Sequence, residues 1–159
     1  MRVLIHDLEQ GYEGGGFDLT VEADGKYAPC QGCFGCWTKH PAECFMKDKL
    51  QQVCRIFGQA DELVIVTKNL YGGYSAAVKN VLDRSIGSST PFSTYRGGQM
   101  HHTLRYGRHG LMKVIVYGDV TEPEKETFRY MVERNAINEG FERSEVLFAA
   151  DPSEVEALL

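Results

Sequence analysis

The sequence predicts a three-layer α/β sandwich built on a mostly parallel sheet, and two observations carry that prediction. From residue 63 onward, short apolar runs alternate with stretches of helical periodicity, the order that lays helices over a parallel sheet. The run Leu63-Val64-Ile65-Val66 is apolar at every position, so both of its faces must be covered, which places it at the sheet's centre. With 159 residues the chain can bury one sizeable core and reads as one domain, 1–159.

The elements follow in order. Arg2 to His6, with Val3-Leu4-Ile5 at its heart, reads as a buried strand. Gly11, Gly14, Gly15 and Gly16 then make a loop without periodicity. Phe17 to Glu22 alternates apolar and polar, as a strand with one wet face does. About ten residues join these two strands, fewer than a helical parallel crossover needs. Either the first strand pairs differently from a regular β–α–β unit, or an extended loop makes the crossover. Asp24-Gly25 marks a turn.

Asp48-Lys49-Leu50-Gln51 has capping-box spacing and predicts a helix from Asp48. Met46, Leu50, Val53, Cys54 and Phe57 share its inner face, which makes Cys54 a core thiol, and Gly58 ends it. Ser75 is placed to cap a helix over 76–84. Residues 87–110 read as a long irregular connection, of a length that usually serves function or an interface. Met112 to Tyr117 predicts a strand. Thr121-Glu122-Pro123-Glu124 opens a helix to about Asn138, with Phe128, Met131, Val132, Asn135 and Ala136 inward and Gly140 as its stop. Glu145 to Phe148 is the last strand, and Ser153 to Glu156 caps a final short helix.

A net charge of −5 makes nucleic acid and anionic membranes poor partners. No apolar run approaches the ~20 residues of a membrane span. The opening Met1 to Asp7 turns polar too soon for a signal peptide. With five cysteines, odd in number and clustered, a reducing cytoplasm with free or metal-bound thiols is expected.

Four of those cysteines, Cys30, Cys33, Cys36 and Cys44, fall in a C-x2-C-x2-C-x7-C pattern. A short glycine-bearing loop can aim three thiolates at one [4Fe–4S] cube, with Cys44 as a fourth ligand. Zinc or a redox disulfide is an alternative, as are four reduced thiols packed around Phe34 and Trp37. Thr67 to Tyr74 joins the central strand to a helix through Gly72-Gly73, the usual place for a ligand in an open α/β sheet. Adjacent His101 and His102 do not face one way, so a hydrogen-bonded loop pair or an oligomer contact outranks a metal pair, and His109 has no ligand spacing with them. Arg105 reads as a surface ion pair or an anion ligand. No Ser-His-Asp or Cys-His set stands out, and no catalytic residue is assigned.

The run Cys30 to Trp37 with Cys44, the stretch Tyr71-Gly72-Gly73-Tyr74-Ser75 through Lys79 to Asp83-Arg84, Met100-His101-His102 with Arg105-Tyr106, and Val132 to Ala136 together resemble the flavodoxin-like FMN-dependent NAD(P)H reductases, a family that includes iron–sulfur flavoproteins. The resemblance covers most of the chain after residue 28. It implies a flavodoxin-like sandwich with a five-stranded sheet and, here, no first crossover helix. It also implies a dimer or tetramer, and FMN at the carboxyl ends of the strands. Lys68, Asn69, Leu70, Tyr71, Gly72 and Gly73 would contact the isoalloxazine ring. The α/β sandwich itself is expected to bring the cysteine segment and the Tyr71–Tyr74 turn to one rim.

One departure stands out. Members of the family bind the FMN phosphate with a hydroxyl- and amide-rich loop and a helix after the first strand. Here that place holds Asp7, Glu9 and Glu13, which would repel a phosphate dianion. Three functions follow: electron transfer between NAD(P)H, FMN and a small-molecule or protein acceptor; a [4Fe–4S] electron carrier or redox sensor; and a cofactor-free scaffold that has lost FMN.

Overall fold

A computed structural model describes residues 1–12 and 14–159. In chain order the elements are β1 (Arg2–His6), β2 (Leu19–Glu22), α1 (Val53–Gly58), β3 (Glu62–Lys68), α2 (Ala76–Asp83), β4 (Ser89–Arg96), β5 (Gln99–Leu104), β6 (His109–Tyr117), α3 (Glu122–Glu139) and β7 (Phe141–Ala149). Short 3₁₀ segments occupy Ile86–Ser88 and Pro152–Leu158. Five strands form one parallel sheet in the order β2-β1-β3-β6-β7, with the all-apolar strand at its centre as the sequence predicts. This is the flavodoxin-like arrangement.

Strand alternation divides the core. Val3 and Ile5 point to one face, where Val53, Cys54 and Phe57 of α1, Val78 and Val81 of α2, and Phe128, Val132 and Ala136 of α3 pack on the sheet. Leu4, Val64, Val66 and Ile115 point to the other face. There Leu8, Tyr12 and Phe17 from the β1–β2 connection join Val155, Leu158 and Leu159 from the chain's end. Tyr12 and Glu156 tie the two pieces together by a hydrogen bond. Strands β1 and β2 pair in parallel, Val3 opposite Leu19 and His6 opposite Glu22. An extended loop therefore makes the first crossover, and residues 7–12 and 14–18 hold no helix.

Several local expectations are corrected. Helix α1 begins at Val53 and residues 49–52 form turns: the Asp48 carboxylate accepts from Leu50 N at 2.9 Å and also from both terminal nitrogens of Arg84 at 2.6 and 2.8 Å. Gly58 is the last helical residue and not a left-handed stop. A Cβ there would lie 2.2 Å from the Tyr106 ring, so the glycine admits that ring. Residues 89–104 form an antiparallel hairpin, turned by Gly97 and Gly98 at φ 58° and 79°. Two left-handed residues in a two-residue turn match the strands' twist. The Thr121–Glu124 box and Gly140, at φ 95°, bound α3 as expected. The closing helix is 3₁₀, and Asp151, not Ser153, caps it by accepting from Ser153 N at 2.8 Å. Among the described residues no helix is long and apolar enough to cross a membrane.

Candidate functional site

From the adjacent strands β1 and β3 the chain departs toward opposite edges of the sheet, the switch point at which open α/β sheets take ligands. The β3 loop there is held from within. Thr67 Oγ1 accepts from Ser75 N at 2.9 Å, which ties the strand's end to the start of α2. Asn69 donates its side-chain amide to Asp119 O at 2.7 Å and accepts from Gly72 N at 3.0 Å. Leu70 and Gly73 exchange both backbone hydrogen bonds at 3.0 Å. Tyr71 is thereby forced to φ 53°, an unusual conformation for a bulky residue, and its side chain stands 91% exposed. The six residues Lys68 to Gly73 thus make one ordered turn with Leu70 and Tyr71 at an open tip. Gly72, at φ 79°, backs onto Glu124 of α3.

The end of β1 is differently employed. The Asp7 carboxylate accepts from Lys68 N at 3.1 Å, and the Asp7 carbonyl accepts from Tyr117 Oη at 3.3 Å. His6 is fully buried against the Tyr12 ring, 5.3 Å between centroids. Burial pushes its pKa down, against the Glu22 charge, so His6 is neutral. Leu8, Tyr12 and Phe17 lie on the sheet. Glu13 lies outside the described residues.

The cysteine segment sits at the other end of α2. Trp37 Nε1 donates to Ile86 O at 2.9 Å, and Arg84 NH1 donates to Ala28 O at 3.2 Å, just past the last turn of that helix. The turn at Tyr71 precedes its first residue. The eight-residue helix, roughly 12 Å of rise, lies between that turn and these two anchors, while the chain just before Cys30 runs along it, Asn80 Nδ2 donating to Tyr27 O at 2.7 Å. Cys30, Cys33, Cys36 and Cys44 do line one cavity, with Arg84 and Ile86, but it measures about 20 Å³, the room of about one water. Among the described residues no three His, Cys, Asp or Glu side chains are placed to hold a metal ion. The [4Fe–4S] assignment of these four cysteines finds no support in that geometry: Cys30 and Cys33 face solvent, while Cys36 and Cys44 are half-buried beside Arg84.

The architecture is that of an open, doubly wound α/β domain, and a family model for NADPH-dependent FMN reductase matches residues 2–103. The chain belongs to the NADPH-dependent FMN reductase family. No match is found among curated proteins. Solved structures share the family's fold. A candidate quinone reductase from Klebsiella pneumoniae aligns with a TM-score of 0.60 at 15% identity, over 99% of this chain and 80% of its own. An FMN-dependent NADH-azoreductase from Bacillus anthracis, in complex with FMN, gives 0.52 at 14% identity, over 99% and 93%. An apo NADH:FMN oxidoreductase gives 0.51 at 11% identity, over 92% and 74%.

The remaining candidates of this family member make contacts within the chain. His101 Nδ1 meets Asn138 Oδ1 at 2.8 Å, while His102 packs at a tilt against Trp37, 4.7 Å between centroids, on the opposite side of β5. His109 packs against Phe141. Arg105 donates to Gly87 O and Ser89 O at 3.2 and 3.3 Å. Two features escaped the sequence. Arg84, with no side-chain exposure, is bound by Asp48. Glu139 accepts from Ser85 Oγ and Ser88 Oγ at 3.2 and 2.8 Å, and burial pushes it up to about 7. Their partners lie 36 and 51–54 residues away, beyond any local pattern.

Proposed function

We propose that this chain is an NAD(P)H-dependent flavin oxidoreductase that grips the flavin by its ring, on the Lys68–Gly73 turn, and not by a phosphate cradle after β1. The observation that carries this reading is the ordered, open-tipped turn at the switch point. Its residues suit the ring end of FMN. Gly72 leaves the backbone bare, Leu70 and Tyr71 offer apolar surface, and Asn69 and Thr67 hold the turn's shape without help from a ligand. The phosphate end is not matched. Asp7 and Glu9 stand where an anion would need donors, and residues 7–12 and 14–18 offer no helix N-terminus. Each charge-assisted hydrogen bond forgone is worth about 1.5–3 kcal/mol, so the loss amounts to orders of magnitude in affinity.

When bound, a flavin accepts hydride from reduced nicotinamide and hands electrons onward, so the protein's part is positioning. Asp7 fixes the Lys68 amide, Asn69 couples the turn to the β6 loop, and Ser75 anchors its exit by capping α2 through Val78 N. The acceptor is a small molecule or a protein. The exposed Phe92, Tyr95 and Met100 of the β4–β5 hairpin support the dimer or tetramer that the family resemblance implies.

Packing of the β1–β2 loop onto the sheet favours a second reading, a scaffold that no longer takes flavin. Titration with FMN, read as quenching of flavin fluorescence and as NADH or NADPH oxidation, separates the two. Saturable quenching with nicotinamide consumption is expected. No quenching and no oxidation at millimolar flavin would leave the scaffold.

A further inference from the structure

We propose that Cys36 and Cys54 are a redox pair that reduces low-molecular-weight disulfides, with Cys36 as the attacking thiol and Cys54 as the resolving one. The pair lies at the far end of α2 from the flavin turn and is independent of it.

One juxtaposition brings the two cysteines together, and local hydrogen bonds hold each in place. A Cβ built on Gly87 would lie 2.8 Å from Cys54 Sγ, 2.9 Å from Cys36 Cβ and 3.2 Å from Cys36 O. Both cysteines therefore close over the one residue that has no side chain to part them. Cys54 Sγ also donates to Arg84 O at 3.2 Å, which holds its sulfur beside that glycine. The backbone around Cys36 is fixed: Ala42 N donates to Cys36 O at 2.9 Å, and Trp37 Nε1 to Ile86 O at 2.9 Å.

The pair is also graded in access. Cys36 is half-buried and lines the cavity, whereas Cys54 has no exposed surface. An outside disulfide can therefore reach Cys36 and not Cys54. The chemistry agrees with this order. The hydrogen bond from Cys54, aided by the Arg105 charge, lowers the Cys36 thiol to about 7, while Cys54 is pushed up and stays protonated.

The exchange balances without a further reagent. The Cys36 thiolate attacks one sulfur of a disulfide RSSR, its S–S bond breaks, and RS⁻ leaves with a mixed disulfide on Cys36. Cys54 then gives up its proton and attacks the Cys36 sulfur, expelling the second RS⁻. Two electrons and the two thiol protons pass to RSSR, giving two RSH and a Cys36–Cys54 disulfide.

The test treats the reduced full-length chain with glutathione disulfide, followed by alkylation and tryptic mapping. Trypsin places Cys30, Cys33 and Cys36 in residues 27–39, Cys44 in 40–47 and Cys54 in 50–55. The expected product joins 27–39, through Cys36, to 50–55, and free thiols fall from the five of the sequence by two. Cys54→Ser should trap one glutathionyl group on Cys36. Cys36→Ser should slow the first exchange at least about tenfold. A link to 40–47, a link within 27–39, a stable glutathionyl adduct on the wild type, or no reaction would each overturn the proposal. The wild-type map decides even if Cys54→Ser does not fold.

Discussion

The two faces of the sheet are finished by different means. One is covered by three α-helices, the other by an extended loop and a 3₁₀ segment, although the same strands supply both. A helix satisfies its own backbone and presents a stripe of side chains, so it can cover a face and still leave its N-terminus for a ligand. A loop cannot do both so readily. Here Leu8, Tyr12 and Phe17 are drawn onto the sheet, and Asp7 is bound to Lys68 N. The proposed lack of a phosphate cradle after β1 rests on that packing.

The largest effect that tests this contrast is in stability. Phe128→Ala, on the helical face at 0% exposure, is expected to cost about 3–5 kcal/mol in urea unfolding. Leu8→Ala, half-buried on the loop face, is expected to cost less than about 1.5 kcal/mol. Equal losses would mean that the loop face is packed as firmly as the helical one. Next comes the buried ion pair that anchors the cysteine segment to α2. Asp48→Ala leaves the Arg84 guanidinium buried without its partner and is expected to cost about 3 kcal/mol. The Arg84 charge holds the Asp48 carboxyl below its usual range. The stabilisation it gives is therefore present above the unfolded value near pH 3.9 and is lost as pH falls through the folded one.

Glu139 should show the opposite sign. Its carboxyl is raised to about 7 by burial between Ser85 and Ser88, so the folded state binds the extra proton. Stability should decline as pH rises from roughly 4.5 to 7. Glu139→Gln should flatten that decline by an amount readable as a shift in thermal midpoint across the pH series. An unchanged slope would place the pH dependence elsewhere.

How much of this was legible depends on distance along the chain. The central strand, the Ser75 cap, the Thr121–Glu124 box and the Gly140 stop each follow from a few neighbouring residues, and each stands where expected. The Gly97-Gly98 hairpin was equally local and was passed over, because two glycines between β-rich runs were read as part of a long loop. The start of α1 was misplaced: Asp48 caps only a turn through Leu50 N, and its carboxylate also holds Arg84, 36 residues on. The same limit governs the sites. The Lys68–Gly73 turn could be named from sequence since its hydrogen bonds close within eight residues or to the next strand's end. The cysteine spacing could not reveal that the segment is held at the opposite end of α2, since that is decided by Ile86, Arg84 and Cys54.

The central claim, a flavin held by its ring without a phosphate cradle, is tested most directly by comparing the dissociation constants of FMN and riboflavin for the purified chain at moderate ionic strength. The two are expected to agree within about threefold, a difference of under roughly 1 kcal/mol. FMN bound about a hundredfold more tightly than riboflavin would reveal a phosphate site and contradict the account.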